Sequence, residues 1–98
     1  MDGWQEKRIT DGGREETYRK VFVEVVVRHL TDGSKIPLSI TFEDGKRYPI
    51  DRLHESRRAA STKVGGTGIR YTISVFGRRT HLFEDEDRWW VEAKNQHV

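Results

Sequence analysis

Val21, Val23, Val25 and Val27 alternate with Phe22, Glu24, Val26 and Arg28, and a β-branched residue at every second position fits a strand with one buried face. The period recurs in Ile36, Leu38, Ile40 and Phe42, and again in Ile69, Tyr71, Ile73 and Val75. Shorter candidates are Lys46–Leu53, Arg79–Glu84 and Arg88–Ala93, which brings the expectation to six strands. A sheet of that size with one apolar face hides both the face and its open edges by curling. The fold class is therefore all-β, a small antiparallel six-stranded SH3-like barrel. An OB-like closure is the alternative, but it places a helix between two strands, and only Glu55–Ser61 offers one.

The strands occupy 19–95, one β-barrel domain in a chain of 98 residues. Residues 1–18 show neither period, and with Trp4, Ile9 and Tyr18 as their large apolar groups they read as a flexible tail.

Face parity tests the turns. A three-residue loop at Glu43-Asp44-Gly45 sets Ile40 against Tyr48 and Leu38 against Ile50, so that both strands present apolar residues to one side. A two-residue loop at Gly77-Arg78 sets Ile73 against Leu82. In the last hairpin a four-residue loop, 85–88, sets Leu82 against Val91 and Glu84 against Trp89. The expected core is Val21, Val23, Val25, Val27, Ile36, Leu38, Ile40, Phe42, Tyr48, Ile50, Ile69, Tyr71, Ile73, Val75, Leu82, Trp89 and Val91.

The same parity turns Phe83 and Trp90 outward and opposite each other, beside Phe76, Arg70, Arg79 and His81. Outward aromatics with a cationic rim form a stacking platform for nucleic-acid bases, worth ~1–3 kcal/mol per base. Three other arrangements use the same residues. The tail covers the patch with Trp4 or Tyr18; two copies pair through it; or a register slip of one buries Trp90 and exposes Trp89.

Charge supports the nucleic-acid expectation. The net charge is only +2, yet residues 46–81 hold nine basic and two acidic side chains, with acidic excess on both sides. Attraction to a polyanion depends on the local potential within a Debye length of ~8 Å, so a segregated charge acts where a total does not. Much of it falls in His54–Gly68, read as a long connecting loop in which Arg57, Arg58 and Lys63 accompany Gly65, Gly66 and Gly68. Glycines let backbone N–H groups surround an anion, which suits a phosphate. A barrel corner needs glycine as well.

Chemistry beyond binding has little foundation here. Asp51, His54 and Glu55 lie close in sequence, but strand parity sends Asp51 and His54 to opposite faces, so the chain reads as non-catalytic. His29, His54, His81 and His97 lack metal spacing, no cysteine is present, and Glu84-Asp85-Glu86-Asp87 lacks the glycine and spaced ligands of a calcium loop. Neither a metal nor a cofactor is expected. No run approaches the ~18 apolar residues of a membrane helix, and the lack of cysteine suits a cytoplasmic setting.

The stretches IPLSITFEDGKRYPIDRL (36–53), RRAAS (57–61), GGTGIRYT (65–72) and DRWWVEAK (87–94) resemble a small uncharacterised bacterial family, mostly from Gram-positive anaerobes and of about this length. The likeness runs from about Lys20 to Lys94. It implies an SH3-like small barrel with no catalytic residue to carry over, and genes near Y-family DNA polymerases imply a role near DNA damage tolerance.

The expectation is thus a non-catalytic binding module for nucleic acid, DNA or RNA. Its expected site is Arg57, Arg58, Lys63, Gly65, Gly66, Arg70, Arg79, Phe83 and Trp90. The alternative partner is a protein or a second copy, held through Phe22, Val26, Phe83 and Trp90.

Overall fold

The computed structural model describes residues 6–11 and 14–95, with side chains described for 17–95. Its strands are β1 (Glu6–Asp11), β2 (Arg14–His29), β3 (Lys35–Thr41), β4 (Arg47–Pro49), β5 (Arg52–Ala60), β6 (Thr67–Val75), β7 (Arg78–Asp85) and β8 (Arg88–Lys94). They form an antiparallel sheet in the order β4-β3-β2-β8-β7-β6-β5, with β1 added to β2 outside that path. The sheet curls into a half-barrel. Among the described residues there is no helix, so none is long and apolar enough to cross a membrane.

Seven strands lie on the path where six were expected, for two reasons. The candidate Lys46–Leu53 divides at Ile50–Asp51, because the curl brings the two ends of the sheet together there. The Ile50 N–H donates to the Leu38 carbonyl of β3 at 2.9 Å, and the Asp51 N–H donates to the Ser74 carbonyl of β6 at 2.8 Å. One chain thus leaves one edge and enters the other. Second, most of the expected loop 54–68 is strand: Glu55 to Ala60 pair with β6, and only 61–66 remain as the connection. Glu55–Ser61 is therefore not helical.

The part of 1–18 read as a tail also differs. Lys7 pairs with Tyr18 and Asp11 with Arg14, forming a hairpin that extends β2. Trp4 lies outside the described residues.

Turn by turn, parity holds better than loop length. Ile40 pairs with Tyr48, and Gly45 takes φ 82°, the left-handed conformation that a three-residue loop requires. The next turn is Phe76-Gly77 rather than Gly77-Arg78, with both residues at positive φ, so Ile73 meets Thr80 and Leu82 meets Tyr71. A shift of two residues preserves every face. In the last hairpin Leu82 meets Val91 as expected, but Asp85 and Arg88 also pair, shortening the loop to Glu86-Asp87.

The inner face holds Ile40, Tyr71, Ile73, Leu82 and Trp89, with Val23, Val25, Val27, Ile50, Leu53, Ile69, Val75 and Val91 packed around them. Tyr71 and Trp89 lie 5.1 Å apart. Leu38 departs from the expectation and is 44% exposed. Val26 pairs with Ser39 and Val27 with Pro37, so a bulge leaves Leu38 without an opposite residue and turns it from the core.

Candidate nucleic-acid interface

Strand registers place five residues in one line across the outer face. Arg57 opposes Arg70, Arg70 opposes Phe83, Phe83 opposes Trp90, and Trp90 opposes Phe22. Phe83 and Trp90 stack with centroids 5.5 Å apart and planes 10° from parallel, and Phe22 meets Trp90 edge-on at 6.1 Å. The expected pairing and direction are both present.

Their exposure is not. Phe83 is 1% and Trp90 3% exposed, because the loop 61–66 folds over them and seats Val64, itself 1% exposed, in the same cluster. Phe83 and Trp90 are therefore covered and offer no base-stacking surface. Tyr18, one of the two aromatics expected to cover the patch, packs against the same cluster, and a register slip is excluded because Trp89 is also buried, on the inner face. The protein-partner surface is affected equally, because Phe83 and Trp90 make up half of it; Val26 remains 47% exposed and Phe22 half-buried.

Glu92 and the loop's own backbone hold the cover in place. The Ser61 hydroxyl donates to Glu92 Oε2 at 2.8 Å and the Lys63 N–H to the same oxygen at 3.2 Å. The Ser61 N–H donates to the Gly66 carbonyl and the Gly65 N–H to the Ser61 carbonyl, each at 2.7 Å. The Lys63 and Gly65 N–H groups thus already have acceptors, and the expected phosphate cradle becomes a lid. Gly66, at φ 103°, lies so close to the sheet that a Cβ there would stand 3.0 Å from Lys20 Nζ. That ammonium sits 4.5 Å from the Trp90 ring centroid, and Lys63 Nζ sits 4.5 Å from that of Tyr18.

The cations behave differently. Parity and the β5 bulge put Arg52, Arg57, Arg70 and Arg79 on the outer face, and Lys63 joins them from the loop. Arg58 opposes Ile69 on the inner side and stands apart. Of the outer group only Arg57 has a carboxylate, Glu55 at 3.1 Å, and both side chains of that pair are more than half exposed. Among the described residues, Arg52, Lys63, Arg70 and Arg79 have no ion-pair partner, and Arg70 Nε is buried without an acceptor. Carboxylates elsewhere are engaged: Glu43 with Arg19, Glu84 and Asp87 with Lys35, Asp51 with the Gly77 N–H, and Asp44 with the Lys46 N–H and the Tyr48 hydroxyl. The local positive charge seen in the sequence persists in the fold.

Two histidines register that charge. His54 Nε2 lies 2.6 Å from Ser74 Oγ, and Arg79 approaches His54 Nδ1 at 3.4 Å. Nδ1 is then the acceptor and Nε2 carries the hydrogen. Burial pushes the His54 pKa down, and the charges of Arg79 and Arg52 push it further. Burial likewise lowers His81, with Arg70 and then Lys63 adding to the effect against Glu92 and Glu55. His81 lines a cleft of about 320 Å³ with Lys63, Arg79, Thr80 and Glu92.

Asp51, His54 and Glu55 take separate partners, and no three His, Asp or Glu side chains converge on a metal-sized site among the described residues. The sequence reading missed Arg52, the Glu92 clasp and Val64. Val64 was the available clue, a lone apolar side chain in an otherwise polar, glycine-rich segment. Nothing matches this chain among protein-family models, curated proteins or solved structures.

Proposed function

We propose that this chain is a non-catalytic, SH3-like binding module of the cytoplasm that holds a nucleic-acid backbone on its outer basic face. Arg52, Arg57, Lys63, Arg70 and Arg79 contact phosphates, with His54 and His81 between them. The reading rests on one observation above all: Arg52, Lys63, Arg70 and Arg79 share this face with no ion-pair partner among the described residues, and of the group only Arg57 has a carboxylate. A phosphate oxygen supplies such cations with charge-assisted hydrogen bonds, roughly twice as strong as neutral ones.

Because Phe83 and Trp90 are covered, the contacts fall on the backbone rather than on bases, and backbone contacts position a strand without reading its sequence. Binding is then insensitive to base composition and steeply sensitive to salt. Each neutralised phosphate of a single strand contributes about −0.7 to the log–log slope. The test is fluorescence anisotropy of a labelled oligothymidylate and a labelled mixed-sequence oligonucleotide over a series of salt concentrations. Similar affinities with a slope of about −2 to −3.5 support the reading. A flat salt response, or no binding at low salt with protein at about 100 μM, overturns it.

A further inference from the structure

We propose that the free edge of β5 accepts an extended acidic peptide as an added strand. The path of the sheet ends at β4 and β5, and β4 is only three residues long. Past the Ile50–Asp51 corner, the β3 edge from Lys35 to Pro37 and the whole β5 edge run on with no strand of the described residues between them. A cleft of about 270 Å³ lies in that gap, lined by Lys35, Ser56, Ile69, Tyr71 and Glu84 among others. The half-barrel thus has room for a strand it does not itself supply.

The two rims of the gap are not equivalent. Pro37 has no N–H to donate, and the bulge at Leu38 interrupts the ladder, so the β3 rim is a poor template. On β5 the hydrogen-bond alternation can be read from its end. The Ser61 N–H bonds to the Gly66 carbonyl, so Ala59, Arg57 and Glu55 also bond inward to β6. The peptide groups of Ser56, Arg58 and Ala60 therefore point away from the sheet. All three residues are exposed.

Charge selects the occupant. Arg52, Arg57 and Arg58 lie along this edge with Glu55 as the opposing charge. A second copy would bring the same excess of positive charge to this edge, three arginines against one glutamate, and like net charges repel. A strand carrying carboxylates is attracted. Its residue opposite Ser56 projects toward the cleft lined by Ile69 and Tyr71 and is best apolar, the residues opposite Arg57 and Arg58 to one side of it are best acidic, and the residue opposite Glu55 on the other side is best uncharged. Main-chain bonds supply affinity and the alternating side chains supply selectivity.

The test uses the whole chain and a fluorescein-labelled ten-residue peptide with Glu-Glu-Leu-Thr at its centre, which in antiparallel pairing falls opposite Arg58, Arg57, Ser56 and Glu55. Its comparison is the same peptide N-methylated at every second peptide bond, which keeps the charge and removes strand donors. Strand addition predicts that methylation weakens binding about tenfold or more, and that the amides of Ser56, Arg58 and Ala60 gain exchange protection. Arg58→Glu, at an exposed position, should weaken the unmodified peptide roughly tenfold. Equal binding of the two peptides, or no binding at about millimolar peptide, overturns the proposal. So does protection of those three amides in the protein alone, which would show that its own chain or a second copy already covers the edge.

Discussion

Glu92, on β8, holds Ser61 by a 2.8 Å hydrogen bond from the serine hydroxyl, and this contact keeps the aromatic row of the outer face covered. Glu92 also receives the Lys63 N–H, so one carboxylate secures two points of a loop whose only apolar anchor is Val64. Glu92→Ala should cost about 1–3 kcal/mol through the loss of these bonds. Val64→Ala should cost about 2 kcal/mol through the cavity it leaves. Both should increase acrylamide quenching and red-shift tryptophan emission, since Trp90 gains water. Unchanged quenching in the folded variants would show that the loop does not depend on this clasp.

Arg70 and Arg79 are expected to act on binding rather than on folding. Arg70→Gln removes a charge near His81 and Arg79→Ala removes another from the cleft; each should weaken oligonucleotide affinity and reduce the salt slope by about 0.7. Measuring the slope separates this from a nonspecific loss of folded protein, which lowers the active fraction but leaves the slope intact.

The pH response has a definite sign. Both His54 and His81 are held below the ordinary value of 6.5, chiefly by burial and then by neighbouring arginines. Below about pH 6.5 the unfolded chain therefore takes up protons that the folded chain resists, and their stabilising contribution declines as pH falls toward the depressed values. A bound polyanion favours the protonated form. Oligonucleotide affinity should consequently rise between about pH 7.5 and 5.5, and His81→Gln together with His54→Gln should flatten that rise.

Lys35 provides a separate test of the fold. Its ammonium lies 3.1 Å from Glu84, whose side chain is 8% exposed, and 2.8 Å from Asp87. Lys35→Met leaves the Glu84 carboxylate buried without its cation and should destabilise by about 2–3 kcal/mol in urea unfolding. Asp87 is held below its ordinary carboxylate value first by the hydrogen bond from Lys35. Its contribution is present above the unfolded value and fades as pH falls through the folded one, so the difference between wild type and variant should narrow in acid.

Gly68 marks a close approach of two strands. A Cβ at this position would stand 2.4 Å from the Glu84 carbonyl oxygen, a backbone atom that moves only with β7. Gly68→Ala should therefore destabilise by about 2–3 kcal/mol, well beyond Gly33→Ala, where a Cβ meets no atom within 4 Å and only the positive φ resists. Thermal melts of the two variants give the comparison.

Strand identity was legible from residues 20–29, 35–42 and 69–75 because alternation is a local property, and a strand with one buried face must carry it. Facing was legible too, except at Leu38, where a bulge intervenes. Even where the turn was placed one residue late, at Gly77-Arg78, the resulting shift of two kept Ile73, Tyr71 and Leu82 inside. The local basic charge likewise carried through into Arg52, Arg57, Lys63, Arg70 and Arg79.

Tertiary structure decided what those faces meet. Trp90 and Phe83 point away from the inner core as parity requires, yet Val64, a residue 26 positions before Trp90, lies over them, and no periodicity encodes where a loop lands. The break at Ile50–Asp51 arises only when β3 and β6 come together by curling, so a continuous run of strand residues divides between two edges. Local spacing determines which side of a strand a residue occupies; closure of the sheet and the fall of its loops determine whether that side meets solvent, a neighbour or a ligand.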